Sequence, residues 1–418
     1  MTATLLDAPA PRVVPAHRVP QFRRYATGQA VSVLGDQVWY VALSWAAVQI
    51  ASPGVAGVLL SISALPRLAL MLFGGVLVDR RDPRRLMVHS DLVRGLICVA
   101  AAAVAIWQPS VLLLVVVALA FGAADAVFLP AAGALQPRLL DPTQYAGGNA
   151  LTSTVNRLAL TLGAPLGGVL VATGGLPTAL VVNAVTFGIS VLALRSLKPS
   201  AVVPSPSDAP KGGLRDGLRY IAGHRVLRAT ILVGLLGNLG FVGPMNVGLA
   251  LASQSSGWGA TGVGLLLSGF GIGAIVAGLA MLRRPDRPSK GLPGVRRIGP
   301  IAAVCFAVQG VAVVVPAVTH SLPLAVAATA VAGLTSGPAG ILLGSLTQYA
   351  TADAYRGRVS SVNSLANLGL TPLVMAAAGW ATDLVGLVPA MAVSGGLELI
   401  AAVGCVALPA LRTARLPR

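Results

Sequence analysis

The sequence predicts an all-α integral membrane protein whose twelve transmembrane helices form two six-helix parallel repeats. Composition, alternation of charge and an internal repeat carry that expectation. The chain of 418 residues is 55% hydrophobic and only 10% charged, whereas a soluble domain averages about 25% charged residues. A mean hydropathy of +0.81 points the same way. The net charge of +17 would suit a phosphate backbone if the basic residues were clustered. They are instead strung between apolar stretches, which argues against a nucleic-acid partner.

A span needs about 20 mostly apolar residues, and that ruler places spans at 25-50, 54-78, 86-106, 109-135, 147-172, 176-197, 226-251, 259-282, 297-318, 321-348, 357-382 and 386-411. Of the 30 Lys and Arg, 27 lie in the termini, in alternate inter-span segments or within three residues of those segments; the exceptions are Arg67, Arg94 and Arg157. Loops rich in Lys and Arg stay cytoplasmic, so both termini are expected there, in a bacterial cytoplasmic membrane. The intervening loops near 51-53, 107-110, 173-176, 252-258, 319-321 and 383-386 hold no Lys or Arg. Trp107, Trp258 and Trp380 fall at predicted outer ends, and Tyr25, Tyr145, Tyr220, Tyr349 and Tyr355 at inner ends, as interfacial aromatics do.

The expected organisation is a tail over 1-24, a bundle over 25-197, a cytoplasmic linker over 198-225, a second bundle over 226-411 and a tail over 412-418. Residues 1-24 lack the apolar core of a cleavable signal. The linker opens with a Pro/Ser run and continues as LRDGLRYIAGHR, either a short amphipathic helix on the inner leaflet or a disordered basic segment.

The two bundles repeat. Thr154-Val155-Asn156 with Leu162-Gly163-Ala164-Pro165 in span 5 answers Ser361-Val362-Asn363 with Leu368-Gly369-Leu370-Thr371-Pro372 in span 11, about 207 residues later. Leu34-Gly35-Asp36 answers Leu236-Gly237-Asn238. Parallel six-helix repeats with a site at their interface are a transporter architecture.

Between spans 2 and 3 the chain reads GGVLVDRRDPRR from Gly74 to Arg85, a hairpin with a charged tip. Gly75, Asp79, Arg80, Arg84 and Arg85 resemble the signature of the major facilitator superfamily, with Asp82 and Pro83 where that signature has Gly and a basic residue. The resemblance covers the chain after residue 20. Phe22-Arg23-Arg24, Gly28-Gln29, Leu34-Gly35-Asp36 and Arg356-Gly357-Arg358-Val359 are similar to the drug:proton antiporter branch that includes macrolide exporters and the enterobactin exporter. Gly163, Pro165, Gly167 and Gly168 resemble that branch's antiporter motif in span 5. The resemblance implies alternating access without a cofactor, driven by protons, by a monomer in the lipid bilayer that carries a small molecule.

A carboxylate at membrane depth costs several kcal/mol, starting at about 2.5-3.5, unless it meets water or a partner. Asp36, Asp125 and Glu398 are therefore candidate proton carriers, with Asp36 first; fixed polar packing is the competing reading of each. Asp91 and Arg94, three apart, share a helix face and pair, as a structural ion pair or a charge relay. Arg157 is a candidate to neutralise Asp125 or Asp36, or to bind an acidic group of the substrate. Trp39, Tyr40, Phe121, Phe128, Asn156, Asn238, Phe241 and Asn363 are candidate cavity residues, although helix packing explains any one of them alone. At the hairpin, Asp79 is expected to meet the free N-H groups opening span 11, near Arg356 and Arg358, as an inner gate.

Cys98, Cys305 and Cys405 lack the spacing of a metal or disulfide site, and no HExxH, GxSxG or nucleotide-binding loop occurs. A metal site, ATP drive and an enzyme are therefore not expected. The functional expectation is a proton-coupled exporter of a hydrophobic or amphipathic molecule. The alternatives are an uptake carrier or lysophospholipid flippase of the same fold and, from another class, a membrane sensor or scaffold.

Overall fold

The computed structural model describes residues 15–66, 82–107, 109–198, 214–282, 298–352 and 355–414. The major elements are α1 (Pro20–Ile50), α2 (Pro53–Ile62), α3 (Pro83–Trp107), α4 (Val111–Leu135), α5 (Tyr145–Arg195), α6 (Leu214–Gly223), α7 (Arg225–Ser255), α8 (Gly259–Leu282), α9 (Ile298–Val318), α10 (Leu322–Ala350), α11 (Arg356–Val385) and α12 (Leu387–Ala407). Among the described residues, ten helices are long and apolar enough to cross a membrane, and Pro53–Pro66 is a shorter apolar helix. The chain is a multi-pass integral membrane protein.

Helix α5 carries two spans. Its helical path turns at Gly175, whose φ of 67° no side chain would favour, and Pro177 starts the return. With that turn the span-length helices correspond to eleven of the expected spans, and α2 to the described start of the span expected over 54-78, whose remainder lies outside the described residues.

Boundaries differ where hydropathy and helix geometry part company. Helix α1 starts at Pro20, five residues before the apolar ruler, because Pro suits the first helical position and Phe22 and Tyr25 are fully buried. Helix α12 stops at Ala407, ahead of the expected 411, because Leu408 is extended before Pro409. Helices α7 and α11 each contain a π-turn, at Pro244–Gly248 and Leu365–Gly369.

The halves meet through small residues. A Cβ at Gly57 of α2 would lie 2.6 Å from the Met375 carbonyl and 3.1 Å from Gly379 Cα on α11. One at Gly168 of α5 would lie 2.8 Å from the Ala260 carbonyl and 3.2 Å from Gly264 Cα on α8. These contacts bring backbones together where lipid offers no hydrophobic drive to association. Both lie toward the ends of the spans expected to face outward, so that end is closed.

The linker helix α6 rests on protein rather than on lipid alone. Ile221 joins Leu227, Val359 and Val362 in a buried cluster, and the Tyr220 ring stacks on Tyr355 with centroids 4.1 Å apart.

Candidate functional site

Arg94 organises the interior of the first half. Its side chain is 1% exposed and lies among three carboxylates from three helices. Nη2 donates to Asp91 Oδ1 at 2.5 Å, one helical turn away, and Nη1 donates to Asp125 Oδ1 of α4 at 2.9 Å. The same Nη1 lies 3.5 Å from Asp36 Oδ2 of α1. The guanidinium is sandwiched between the rings of Phe128 and Phe187, each centroid 4.6 Å from Cζ, an arrangement that suits a planar cation. Ser190 Oγ donates to Asp91 Oδ2 at 2.6 Å and ties the cluster to the second span of α5.

Among the described residues three carboxylates thus converge on one guanidinium, and Asp125 makes a further interaction besides. Taking ions out of water costs several kcal/mol each, so the packing around Arg94 depends on how these charges are neutralised. The Asp91 side chain is sealed, whereas those of Asp36 and Asp125 are 33% and 36% exposed. Asp36 and Asp125 are therefore the members of the cluster accessible from outside it.

Beside the cluster lies a cavity of about 360 Å³ lined from both halves, with Gln37, Tyr40 and Arg157 on one side and Phe241, Met245 and Phe270 on the other. Tyr40 Oη donates to Asn246 Oδ1 at 2.5 Å across it. A second cavity, of about 260 Å³, shares Phe241 and is lined by Asn238, Gln309, Asn363, Asn367 and Glu398. A third, of about 680 Å³, shares Gly344, Thr347 and Asn363 with the second and reaches Tyr349, Thr351 and Arg356. Through these shared wall residues the three cavities follow one another from Tyr40 toward the chain segment between α10 and α11.

Glu398 is 0% exposed, at mid-length of α12, and neither carboxyl oxygen has a hydrogen-bond partner among the described residues. Gly240 and Gly310 make room for it, since a Cβ at either would come within 2.9 Å of its side chain.

The opposite end of the molecule is fastened by a residue the sequence reading did not single out. Asp383 of α11 accepts from Ser52 Oγ at 3.0 Å and from the Gly54 N–H at 2.7 Å. An anion there also meets the positive end of α2. Gln254 Nε2 of α7 donates to the Val48 carbonyl of α1 at 2.7 Å, a second tie at the same end.

Gly75, Asp79 and Arg80 of the expected inner gate lie outside the described residues, as does Arg67. Arg84 donates from Nε to the Leu194 carbonyl at 2.9 Å and from Nη2 to the Arg195 carbonyl, closing the C-terminus of α5 within its own half. Asp82 is the N-cap of α3, accepting from the Arg84 N–H at 3.0 Å with Pro83 first in the helix, which gives this departure from the signature a structural reason. Arg85 is exposed and 3.8 Å from Asp82. Arg358 packs over the Tyr355 ring at 5.0 Å, and Arg356 lines the third cavity.

Asp91 and Arg94 pair as the spacing predicted, but Arg94, and not Arg157, is the cation on Asp36 and Asp125. Trp39 and Phe121 are buried in the first half, where Phe121 packs between Trp39 and Phe187, while Phe128 covers Arg94. They belong to buried core clusters and line none of the three cavities above. Tyr40, Phe241, Asn238 and Asn363 do line cavities, and Asn156, beside Arg157, has a buried Oδ1 without a partner among the described residues. Gly163 and Gly167 let α5 approach α1, within 2.9 Å of the Leu34 carbonyl and 3.0 Å of Val38 Cα for a built Cβ, while Pro165 and Gly168 face α8.

The sequence profile of the Major Facilitator Superfamily matches residues 25–371. The chain is 28% identical over 388 residues to the multidrug efflux pump Tap of Mycobacterium tuberculosis, covering 85% of this chain and 86% of that one. It is 26% identical over 355 residues to the enterobactin exporter EntS of Citrobacter koseri, covering 83% and 82%. In fold it is similar to the crystal structure of a bacterial homolog of the human lysosomal transporter Spinster in an inward-facing, unoccupied conformation. That match has a TM-score of 0.69, 14% identity, and covers 95% of this chain and 99% of the other.

Proposed function

Because the chain belongs to the Major Facilitator Superfamily and is a transporter, not an enzyme, we propose that it exports a hydrophobic or amphipathic small molecule from a bacterial cell in exchange for protons, by alternating access. The observation that carries this reading is the Arg94 cluster, three carboxylates on one guanidinium next to a cavity between the halves. The names of the relatives, a multidrug efflux pump and an enterobactin exporter, support export.

The protein works as a monomer with both termini and the linker cytoplasmic, each six-helix half moving about the cavity as one body. In that orientation the end fastened by Asp383 is the outer one, and the structure described is inward-facing. Substrate then enters along the path past Thr347 and Asn363. Asp36 and Tyr40 are four residues apart and share one face of α1, so proton uptake at the cluster lies one turn from the Tyr40–Asn246 tie between halves. Protonation removes negative charge from Arg94, frees α1 to shift against α3 and α4, and loosens that tie, favouring the outward-facing state. Release of protons inside restores the charge and the inward-facing packing. Glu398 supplies a second proton site in the other half, its oxygens free of partners. The glycines of the antiporter motif, Gly163, Gly167 and Gly168, hold the outer half of α5 against α1 and α8 until the exchange.

Purified protein in proteoliposomes tests the reading. An imposed pH gradient should drive a fluorescent amphipathic dye against its concentration, and collapse of the gradient should stop it. Asp125→Asn should abolish gradient-driven flux while substrate binding persists. Flux indifferent to the gradient removes proton coupling, and accumulation in the uptake direction alone removes export.

A further inference from the structure

Arg157 lies twelve residues into α5, roughly 18 Å along the helix at 1.5 Å per residue, and it lines the cavity shared by both halves. Among the described residues its side chain makes no hydrogen bond and no ion pair; Asp36 and Asp125, the acids it was a candidate to neutralise, lie on Arg94. The side chain is exposed to that cavity, and a guanidinium is the side chain best shaped for a carboxylate, phosphate or sulfonate. Around it, Leu160, Phe241, Met245 and Phe270 supply apolar wall, while Tyr40 and Gln37 supply polar contacts.

We infer that this cavity selects an anionic amphiphile, a molecule with an apolar body and one acidic group, and that Arg157 is the residue that binds the acid. The inference rests on the transport reading above and narrows its substrate class. Phe241 and Phe270, whose rings lie 5.4 Å apart, hold the apolar body, and Tyr40 lies on the same wall as the bound acid. When the Tyr40–Asn246 hydrogen bond yields, the Tyr40 hydroxyl is free to donate to that anion, so that substrate binding and separation of the halves become one event. An acidic lipid headgroup and a soluble organic acid share this chemistry.

The test uses the full chain in phosphatidylcholine vesicles with three probes: fluorescein as a soluble anion, a fluorescent lysophosphatidylglycerol as an anionic lipid, and rhodamine 6G as a cation of related ring skeleton. Wild type should move one or both anions in preference to the cation, and which anion it moves distinguishes the two sources. Arg157→Gln should cut anion flux about tenfold or more through a raised KM, leave rhodamine 6G flux unchanged, and retain the wild-type melting temperature. Arg157→Lys should rescue part of the loss by keeping the charge. Movement of rhodamine 6G alone overturns the inference and leaves the transport reading standing. So does an Arg157→Gln protein that moves anions at the wild-type rate, or that loses all probes equally. Movement of none of the three refutes the transport reading and the inference together.

Discussion

Removing the Asp383 carboxylate should open the outer end of the molecule. Its Oδ2 accepts two hydrogen bonds from α2, at 3.0 Å from Ser52 Oγ and 2.7 Å from the Gly54 N–H. A hydrogen bond contributes about 0.5–1.5 kcal/mol net, and the exposed setting puts each near the lower end. Together they favour the closed outer end by about 1–2 kcal/mol, which is a factor of about 5–30 in the equilibrium between states. Asp383→Ala removes both acceptors, and Asp383→Asn keeps one oxygen without the charge. Spin labels at Ile106 and Leu384, both well exposed near that end on opposite halves, report the separation. The alanine variant should increase the long-distance population by that factor, with asparagine between it and wild type. The close backbone packing of Gly57 against Gly379 remains in both, so the shift is graded rather than complete. An unchanged distance distribution in Asp383→Ala would refute the reasoning.

The remaining predictions concern the interior. Arg94→Gln leaves three carboxylates without their cation, and loss of one partner from a buried pair costs about 3–5 kcal/mol. Its melting temperature in detergent should fall clearly, while Arg94→Lys, which keeps the charge but loses the forked contacts, should fall less. Gly168→Val should push α5 from α8, because even a Cβ meets the Ala260 carbonyl at 2.8 Å. Overpacking of about 1–3 kcal/mol should raise the outward-open population seen with the same spin-label pair. Glu398→Gln preserves volume in a cavity already lined with amides, so it should fold normally, and the proton-to-substrate ratio from flux-reversal measurements should drop by one.

The sequence made the spans legible because membrane thickness fixes their length, and it made the Asp91–Arg94 pair legible because three residues on a helix fix a face. It did not reveal that Arg94 also holds Asp125 and Asp36, since those contacts join α3 to α4 and α1 through tertiary packing. Asp383 escaped notice for a related reason: its partners on α2 are more than 300 residues away, and they include a backbone N–H, a donor that residue identity does not advertise. Trp39, Phe121 and Phe128 were read as cavity walls and lie in the core. In a soluble helix the polar face would have sorted them, but a spanning helix is apolar toward lipid and toward its neighbours alike, so periodicity loses its discriminating power. What distinguishes the faces here is charge that lacks a partner. Arg94 is saturated by three acids and belongs to the interior, whereas Arg157 has none among the described residues and lines the cavity. The same distinction separates Asp91, sealed beneath Arg94 and Ser190, from Asp36 and Asp125, whose side chains stay partly exposed. A charge at membrane depth is thus read by counting its partners.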